Sequence, residues 1–235
     1  MSTAMGRETS ASGNTSTAMG DGATAVGYAS TAMGYYSTAS GWASTAFGHY
    51  TTASGDNSVA IGNETTASDY NSLVLGQWNL AGSTTTNSPT EFSIDNTAFV
   101  IGNGLSWDNR GDALVVKFNG DATLAGNLNI NSDARLKANI VSLGSTLSKL
   151  LQIDGKSYTM KKDESEKQKI GLLAQDIEKV FPELVSESHG VKSVNYQGLV
   201  PVLINALKEQ QAEIDRLKTQ EERLERLERL VAAMD

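Results

Sequence analysis

The chain has 235 residues, no cysteine and a formal net charge of −8, so disulfides and thiolate metal sites are excluded. Residues 1–130 contain three Lys/Arg against ten Asp/Glu, whereas residues 131–235 contain 16 against 17. The acidic first part disfavours nucleic acid as a partner, and no apolar run reaches the length of about 18 residues that a membrane span needs. We therefore predict two regions of different composition, with no membrane span, metal or cofactor.

Glycine recurs every seven residues from Gly6 to Gly76, with Asp69 in place of one glycine. From Met33 onward the residue before glycine alternates between an apolar side chain and serine, so the period is 14 residues. A coiled coil is excluded because each glycine would cost a helix about 1 kcal/mol. We predict a parallel β-roll of 14-residue coils, in which each half-coil is a short strand followed by a glycine turn. Alanine and other small residues fill its interior, and the apolar residues before glycine face partner chains.

The repeat units, above all Ser58-Val59-Ala60-Ile61-Gly62, resemble the head repeat of YadA-like trimeric autotransporter adhesins. This resemblance covers about residues 2–80 and implies a left-handed parallel β-roll in a threefold arrangement. We assign residues 1–80 to this head.

Aromatic residues follow several of the glycines and are expected in turns on the outside of the roll. One interpretation is a ridge that binds a cell-surface glycan or receptor; the other is that these rings are scattered or pack against a neighbouring part of the fibre. The candidate ligand-binding residues are Tyr35, Tyr36, Trp42 and Tyr50. The two histidines, His49 and His189, show no metal-ligand spacing.

Residues 81–130 lose the period and are predicted to form a β connector. A Gly/Ser/Thr-rich loop over Ala81–Thr90 opens it. The strands predicted after the loop are Glu91–Ile94, Ala98–Ile101, Ala113–Phe118 and Ala122–Ile130.

Residues 131–235 predict an α+β unit, divided into a domain over 131–204 and a coiled coil over 205–235. Helical spacing of apolar residues predicts a helix over Arg135–Leu151, and leucines spaced by three, four and seven predict a long helix from Tyr196 onward. The high content of charged residues over Lys161–Lys169 predicts a solvated hairpin loop. The other predicted elements are strands at Gly155–Met160 and Val191–Val194, a buried strand or entry segment at Ile170–Ala174, and a helix over Gln175–Phe181.

Three motifs in this region resemble the C-terminal intramolecular chaperone of phage endosialidases and tailspikes. They are Ser132-Asp133-Ala134-Arg135-Leu136-Lys137, Ile170-Gly171-Leu172-Leu173-Ala174-Gln175-Asp176 and Ser193-Val194-Asn195-Tyr196. The resemblance implies a homotrimer that folds the upstream fibre in register and is then released by a single-turnover autoproteolysis. It places the nucleophile at Ser132, the general base at Lys137 and the scissile bond between Asn131 and Ser132. A lone serine is a weak nucleophile, and an adjacent lysine can take its proton.

The alternative for this motif is that Ser132 caps a helix beginning near Asp133 and that Lys137 is a solvated helix residue. For the whole chain, the leading hypothesis is a trimeric fibre or adhesin tip, located outside the cell, on a cell surface or in a virion tail fibre. The runner-up is a fragment of a glycan-degrading tailspike with an uncleaved trimerisation cap. Glycan hydrolysis needs two carboxylates held across a cleft, and the acidic residues of 1–130 are scattered along the sequence.

Overall fold

A computed structural model describes residues 1–80, 89–161 and 167–233 of the chain. The chain forms two compact units, Met1–Asn131 and Ser132–Asp235. Each unit is described by itself below.

The first unit is a roll of parallel strands in which each coil contributes one long and one short strand. The long strands are β1 (Thr3–Arg7), β3 (Thr17–Asp21), β5 (Thr31–Tyr35), β7 (Thr45–His49), β9 (Val59–Asn63) and β11 (Leu73–Gln77). The short strands are β2 (Ser10–Ala11), β4 (Thr24–Ala25), β6 (Thr38–Ala39), β8 (Thr52–Ala53) and β10 (Thr66–Ala67). Each long strand pairs with the next so that a residue meets its equivalent 14 positions later, as Ala18 meets Ala32. The prediction of a β-roll with 14-residue coils is confirmed.

Small side chains fill the interior, as predicted. Each strand from β3 to β10 buries one alanine fully, Ala18 in a long strand and Ala25 in a short one being examples, and β11 buries Val74 at the same position. Two positions before each alanine lies a second buried small residue, such as Ser30 before Ala32. The Ser30 hydroxyl donates to the Gly27 carbonyl at 2.7 Å and so closes the turn. The roll is narrow because its core is built from alanine, serine and threonine.

The repeated glycines have two different roles, and the prediction of a turn after every heptad is wrong for half of them. Gly34 and its equivalents lie inside the long strands, where Gly34 has a φ of +119°. Gly27 and its equivalents are buried at the turns after the short strands. At both kinds of position an added Cβ would meet the carbonyl of the next coil, at 2.0 Å from Gly48 O for Gly34. Glycine is required here because adjacent coils approach each other backbone to backbone.

The ladder of long strands continues after the sequence period ends. Strand β12 (Thr97–Asn103) pairs in parallel with β11, and Gly76 meets Gly102 in the same register as earlier coils. Strands β13 (Asp112–Lys117) and β14 (Ala122–Leu124) then add to it in antiparallel orientation, which ends the parallel stacking.

Two polar side chains hold this end of the roll. Asp69, at the position of a turn glycine, is buried and accepts hydrogen bonds from the Thr97 backbone N–H at 2.7 Å and hydroxyl at 2.8 Å. The Asn79 amide accepts from the Thr66 N–H at 2.8 Å and donates to the Thr66 carbonyl at 3.1 Å. Asn79 therefore takes the place of the next short strand beside β10.

The predicted connector strands have mixed outcomes. Ala98–Ile101 and Ala113–Phe118 correspond to β12 and β13. Glu91–Ile94 is not a strand but a series of bends and turns, so that prediction is wrong. The predicted strand Ala122–Ile130 is too long, because only its first three residues, β14, pair with β13, and the residues after β14 are exposed. Most of the predicted loop Ala81–Thr90 lies outside the described residues.

The second unit packs short elements against one long helix. Its elements are α1 (Leu147–Leu150), β15 (Lys156–Tyr158), β16 (Lys169–Gly171), α2 (Ala174–Val180), β17 (Val185–Ser188), β18 (Val191–Val194) and α3 (Leu199–Ala232). Strands β15 and β16 form one antiparallel pair, and β17 and β18 form another. Ile177, Phe181 and Val202 are the buried centre of the unit. Pro201 is tolerated because it lies in the first turn of α3.

The helix predicted over Arg135–Leu151 is wrong. Only a 3-10 turn at Ala134–Leu136 and the single turn α1 are helical, and Gly144 takes a φ of +67° between them. The leucines that suggested a helix are largely exposed, with Leu136 at 71%. Because the described part of this unit leaves these leucines unburied, the apolar stripe has no packing there to stabilise a helix.

The smaller predictions for this unit also differ in detail. The prediction that Ile170–Ala174 is buried is wrong, since Ile170 on β16 is 87% exposed, Leu173 is exposed too, and the other three residues are only partly buried. The long helix begins at Leu199, after a 3-10 turn at Tyr196–Gly198. The predicted loop Lys161–Lys169 lies largely outside the described residues, and its last residue begins β16.

Candidate functional site

Ser132 and Lys137 lie in hydrogen-bond contact. The Lys137 Nζ donates to the Ser132 Oγ at 2.7 Å. The 3-10 turn between them brings the two side chains together, because the backbone N–H of Lys137 returns to the Ala134 carbonyl at 3.1 Å. A nucleophile in direct contact with an amine is the arrangement that serine–lysine chemistry requires.

Asp133, not Ser132, caps this turn. The Asp133 carboxylate accepts the Arg135 backbone N–H at 2.8 Å and pairs with the Arg135 guanidinium at 2.6 Å. The guanidinium first, and the backbone N–H second, lower the pKa of the Asp133 carboxyl. The Ser132 hydroxyl therefore does not act as the cap, which the alternative interpretation required.

The segment that carries the pair is open to solvent in a single chain. All residues from 122 to 145 are exposed, including Leu128 at 68%, Ile140 at 66% and Val141 at 83%. Ser132 and Lys137 are themselves exposed, so none of the described residues of this unit shields them from water. Within the second unit, Ile140 and Val141 are apolar side chains that other chains can cover.

Glu209 on α3 anchors the C-terminal end of this segment, a contact that sequence reasoning missed. Its carboxylate accepts the Ser145 hydroxyl at 2.6 Å and the backbone N–H groups of Thr146 and Leu147. The Thr146 hydroxyl donates to the Val202 carbonyl on the same helix at 2.9 Å. The signal was present in the sequence, since Glu209 lies seven residues after the buried Val202 and so on the same face of α3.

The carboxylate of Glu209 predicts an acid-sensitive contact. The Ser145 hydroxyl first, then the Thr146 N–H, lower the pKa of Glu209. Because the folded-state pKa is lowered, the stabilisation is present above the ordinary range of a glutamate and is lost as the pH falls through the folded-state value. We expect Glu209→Gln to lower the melting temperature of this unit at pH 7 by a few degrees, and its melting curve to converge with that of the unsubstituted chain in acid. Glu222→Gln, an exposed glutamate on the same helix, is the control; equal effects of the two substitutions would contradict the role of Glu209.

Three of the four predicted ligand-binding residues form one cluster on the roll, with His49 as a fourth ring. Tyr35 stacks on His49 with centroids 5.2 Å apart, and Tyr36 stacks on Tyr50 at 5.5 Å. The two stacks meet edge to face, at 4.7 Å between Tyr35 and Tyr36. Desolvation by the packed rings, followed by the nearby Tyr35, raises the pKa of the Tyr50 phenol. We call Tyr35, Tyr36, His49 and Tyr50 the aromatic cluster.

Trp42, the remaining predicted residue, lies elsewhere on the coil. It follows a turn glycine after a short strand and stacks on Tyr28 at 6.0 Å with almost parallel planes. Its backbone N–H donates to the Asp56 carboxylate at 2.7 Å. Trp42 and the aromatic cluster are therefore two separate exposed sites on the roll. Across the described ranges no group of His, Cys, Asp or Glu side chains is arranged to hold a metal ion.

Two family models match the chain, one in each unit. The YadA head domain repeat matches residues 1–23, 20–44, 39–65 and 53–77, which are the coils of the roll. The chaperone of endosialidase matches residues 132–186, beginning at the serine of the Ser–Lys pair. The first unit is thus similar to YadA head repeats and the second to the chaperone of endosialidase.

Curated relatives connect this combination with phage tail fibres. The chain is 32% identical over 114 residues to the long tail fiber protein Gp37 of Salmonella phage S16, a match that covers 44% of this chain and 15% of the relative. It is 30% identical over 121 residues to the long tail fiber protein Gp37 of Escherichia phage AR1, covering 45% of this chain and 11% of the relative. The chain therefore spans only a small part of the length of these relatives. Together the matches indicate a fibre exposed on a virion or a cell surface, and none of the described helices has the length and hydropathy of a membrane span.

Proposed function

We propose that the chain is the tip of a trimeric fibre whose second unit is an intramolecular chaperone. The observation that supports this most directly is the row of unburied apolar residues on α3. These residues follow a heptad pattern, and each is at least 41% exposed. The a positions are Leu207 and Ile214, and the d positions are Leu203, Leu217 and Leu224. Such a seam is stable in water only when other helices cover it, and we expect those helices to be the α3 helices of two further copies.

A separate template is needed because the roll specifies its own register weakly. Successive coils are so similar that a slip by one coil matches nearly as well as the correct alignment. The unpaired strand edges of such repeats also favour aggregation. A helical trimer with a unique seam brings three chains together in one alignment before the rolls associate.

Charged residues in the seam are expected to prevent trimer formation. Leu207→Glu combined with Leu217→Glu places two carboxylates from each chain at the centre of the bundle, where burial of unpaired charge is strongly unfavourable. Native mass spectrometry should show a trimer for the unsubstituted chain and a monomer for this variant. The matched control is Ala212→Glu, which adds a carboxylate at an exposed position on the opposite side of the heptad. A monomeric unsubstituted chain, or a trimeric double variant, would overturn the proposal.

We further propose that the Ser–Lys pair releases the chaperone. The Ser132 Oγ attacks the carbonyl carbon of Asn131 while the Lys137 amine accepts the hydroxyl proton. The peptide bond breaks as that proton passes to the departing amino nitrogen of Ser132, which leaves an ester between Asn131 and the Ser132 Oγ. Water then hydrolyses the ester, giving a free Asn131 carboxylate and restoring the Ser132 hydroxyl.

Assembly is expected to activate this reaction. In a single chain the segment that carries the pair is exposed to water. Partner chains that cover Ile140 and Val141 would also exclude water from the pair, and a site without water strengthens the electrostatic interactions of the reacting groups. Cleavage would then follow correct trimer formation and leave a fibre that is kinetically trapped, since its template has gone.

We propose a second function for the aromatic cluster, which is to bind an uncharged glycan. Tyrosines that keep about 40% exposure while packed against each other form a rigid surface, and tyrosine is enriched among residues that dominate binding energy. The surrounding roll is acidic, since residues 1–130 carry three Lys/Arg and ten Asp/Glu. This charge disfavours anionic sugars.

Titration calorimetry with glucose, galactose and N-acetylglucosamine oligomers tests the glycan proposal. Tyr36→Ala with Tyr50→Ala is expected to weaken binding by about tenfold or more, whereas Trp42→Ala, an exposed ring at the other turn, should leave it unchanged. Absence of binding to all three oligomers, or an equal loss in the Trp42 variant, would show that the rings only stabilise the roll.

A further inference from the structure

The outward face of the long-strand sheet becomes more apolar toward its C-terminal end. From β3 to β9 a fully buried alanine points inward, and Val74 and Val100 take its position in β11 and β12. The two neighbours of this residue point to the opposite face. The row before the alanine begins with Thr3, Thr17, Thr31 and Thr45. It then changes to Val59, Leu73 and Phe99, each in register with the residue before it. This row therefore passes from hydroxyl-bearing side chains to large hydrocarbons along the roll.

The row after the alanine is apolar throughout, but the flexibility of its side chains changes along the roll. It begins with Met5, Met19 and Met33, whose unbranched side chains adapt to many neighbours. It ends with Ile61, Leu75 and Ile101, which have few rotamers and specify their contacts more narrowly. The C-terminal strands thus offer both more apolar area and better defined shapes.

The two antiparallel strands extend the same face without repeating it. Val116 on β13 lies opposite Phe99, Leu114 lies opposite Ile101, and Leu124 on β14 lies opposite Leu114. These strands occur once in the chain, whereas β1 to β7 carry nearly identical units. Only this end of the sheet can therefore distinguish the correct alignment of two rolls from one slipped by a coil.

The periodicity identifies the occupant of this face as further copies of the chain. A partner that contacts every row must have the same spacing between rows, and a second roll aligned in parallel has that spacing. The rows before and after the alanine contain no charged residue from β1 to β12, so identical faces can meet without repulsion. Burial of Phe99 and Leu73 releases more water from apolar surface than burial of Thr17 or Thr31.

We infer that the rolls associate from β9–β14 toward β1, so that the C-terminal strands set the register and the N-terminal coils close last. This inference rests on the proposed trimer. The strands that associate first are those nearest in sequence to the chaperone unit, so the template and the register-setting strands act in succession.

Pulsed hydrogen–deuterium labelling during refolding tests the order. The full chain with Ser132→Ala is used so that the chaperone stays attached, and protection is followed by mass spectrometry of peptides. Amides of β9, β11, β12 and β13 are expected to become protected before those of β1, β3 and β5. Simultaneous protection of all coils, or earlier protection of β1, would overturn the inference.

A pair of variants tests the cause. Leu73→Thr with Phe99→Thr gives the C-terminal rows the side chain of the N-terminal ones and is expected to slow association of the rolls, followed as amide protection of β9 to β13, by about tenfold or more. Thr17→Val with Thr31→Val makes the N-terminal rows apolar and should leave that rate within about twofold, since these rows close after the rate-limiting step. Equal effects of the two pairs would contradict the inference.

Native mass spectrometry separates the two proposals: a chain that never trimerises refutes the proposed function, whereas a trimer that forms without this order refutes only the inference.

Discussion

Replacing Gly34 by valine is expected to destabilise the roll by about 3–5 kcal/mol. Gly34 has a φ of +119°, a conformation that β-branched residues rarely adopt, and an added Cβ would lie 2.0 Å from the Gly48 carbonyl oxygen. The neighbouring coil cannot move away, because it is packed just as closely against the coil after it. A Cβ added at Gly48 would lie 1.9 Å from the Gly62 carbonyl oxygen. The melting temperature should fall by about 10 °C or more at equal protein concentration.

Two other glycines of the same unit separate the causes. Gly126 has no atom within 4 Å of an added Cβ and no left-handed backbone, so Gly126→Val should be tolerated. Gly120 is equally open but has a φ of +88°, so Gly120→Val measures the backbone strain alone. If Gly34→Val melts like Gly126→Val, the coils are not packed backbone to backbone as described.

Replacing Lys137 by methionine is expected to slow chain cleavage by about a thousandfold or more, because the substitution removes the amine that contacts the Ser132 hydroxyl. Lys137→Arg should be equally inactive, although it can still donate a hydrogen bond to Ser132, since a guanidinium does not give up its proton in proteins. Cleavage is followed by gel electrophoresis of freshly purified protein under denaturing conditions.

The control is Lys208→Met, which changes an exposed lysine on α3 in the same way. Native mass spectrometry of each variant shows whether the trimer has formed, so that a loss of cleavage is not confused with a loss of assembly. A Lys137→Met trimer that cleaves as fast as the unsubstituted chain would exclude lysine as the general base.

The roll could be predicted from sequence because each 14-residue coil makes the same contacts as the coil before it, and the same contacts need the same residue types. The repeat alone did not separate the strand glycines from the turn glycines, since glycine fits both a strand position with positive φ and a buried turn. From Met33 onward the preceding residue marks the difference, since an apolar residue such as Met33 precedes each strand glycine and serine such as Ser40 precedes each turn glycine, but Val26 before the turn glycine Gly27 breaks this rule. Asp69 and Asn79, which end the roll, give no sequence pattern because each occurs once.

The second unit was harder to predict because much of its apolar surface is not buried within the chain. Leu136, Ile140 and Leu143 have helical spacing, but the described residues of this unit leave all three exposed, and the segment is not a helix. The contact between Ser132 and Lys137 was expected from the resemblance of the motif, whereas the capping role of Asp133 and the anchor at Glu209 depend on the fold.

Denaturing mass spectrometry of the purified trimer, beside the Ser132→Ala variant, tests the self-processing chaperone most directly. The proposal predicts that the unsubstituted chain yields two fragments, residues 1–131 and 132–235, while the variant remains intact and trimeric. An unsubstituted trimer that stays intact would contradict it and leave the second unit as a permanent trimerisation cap.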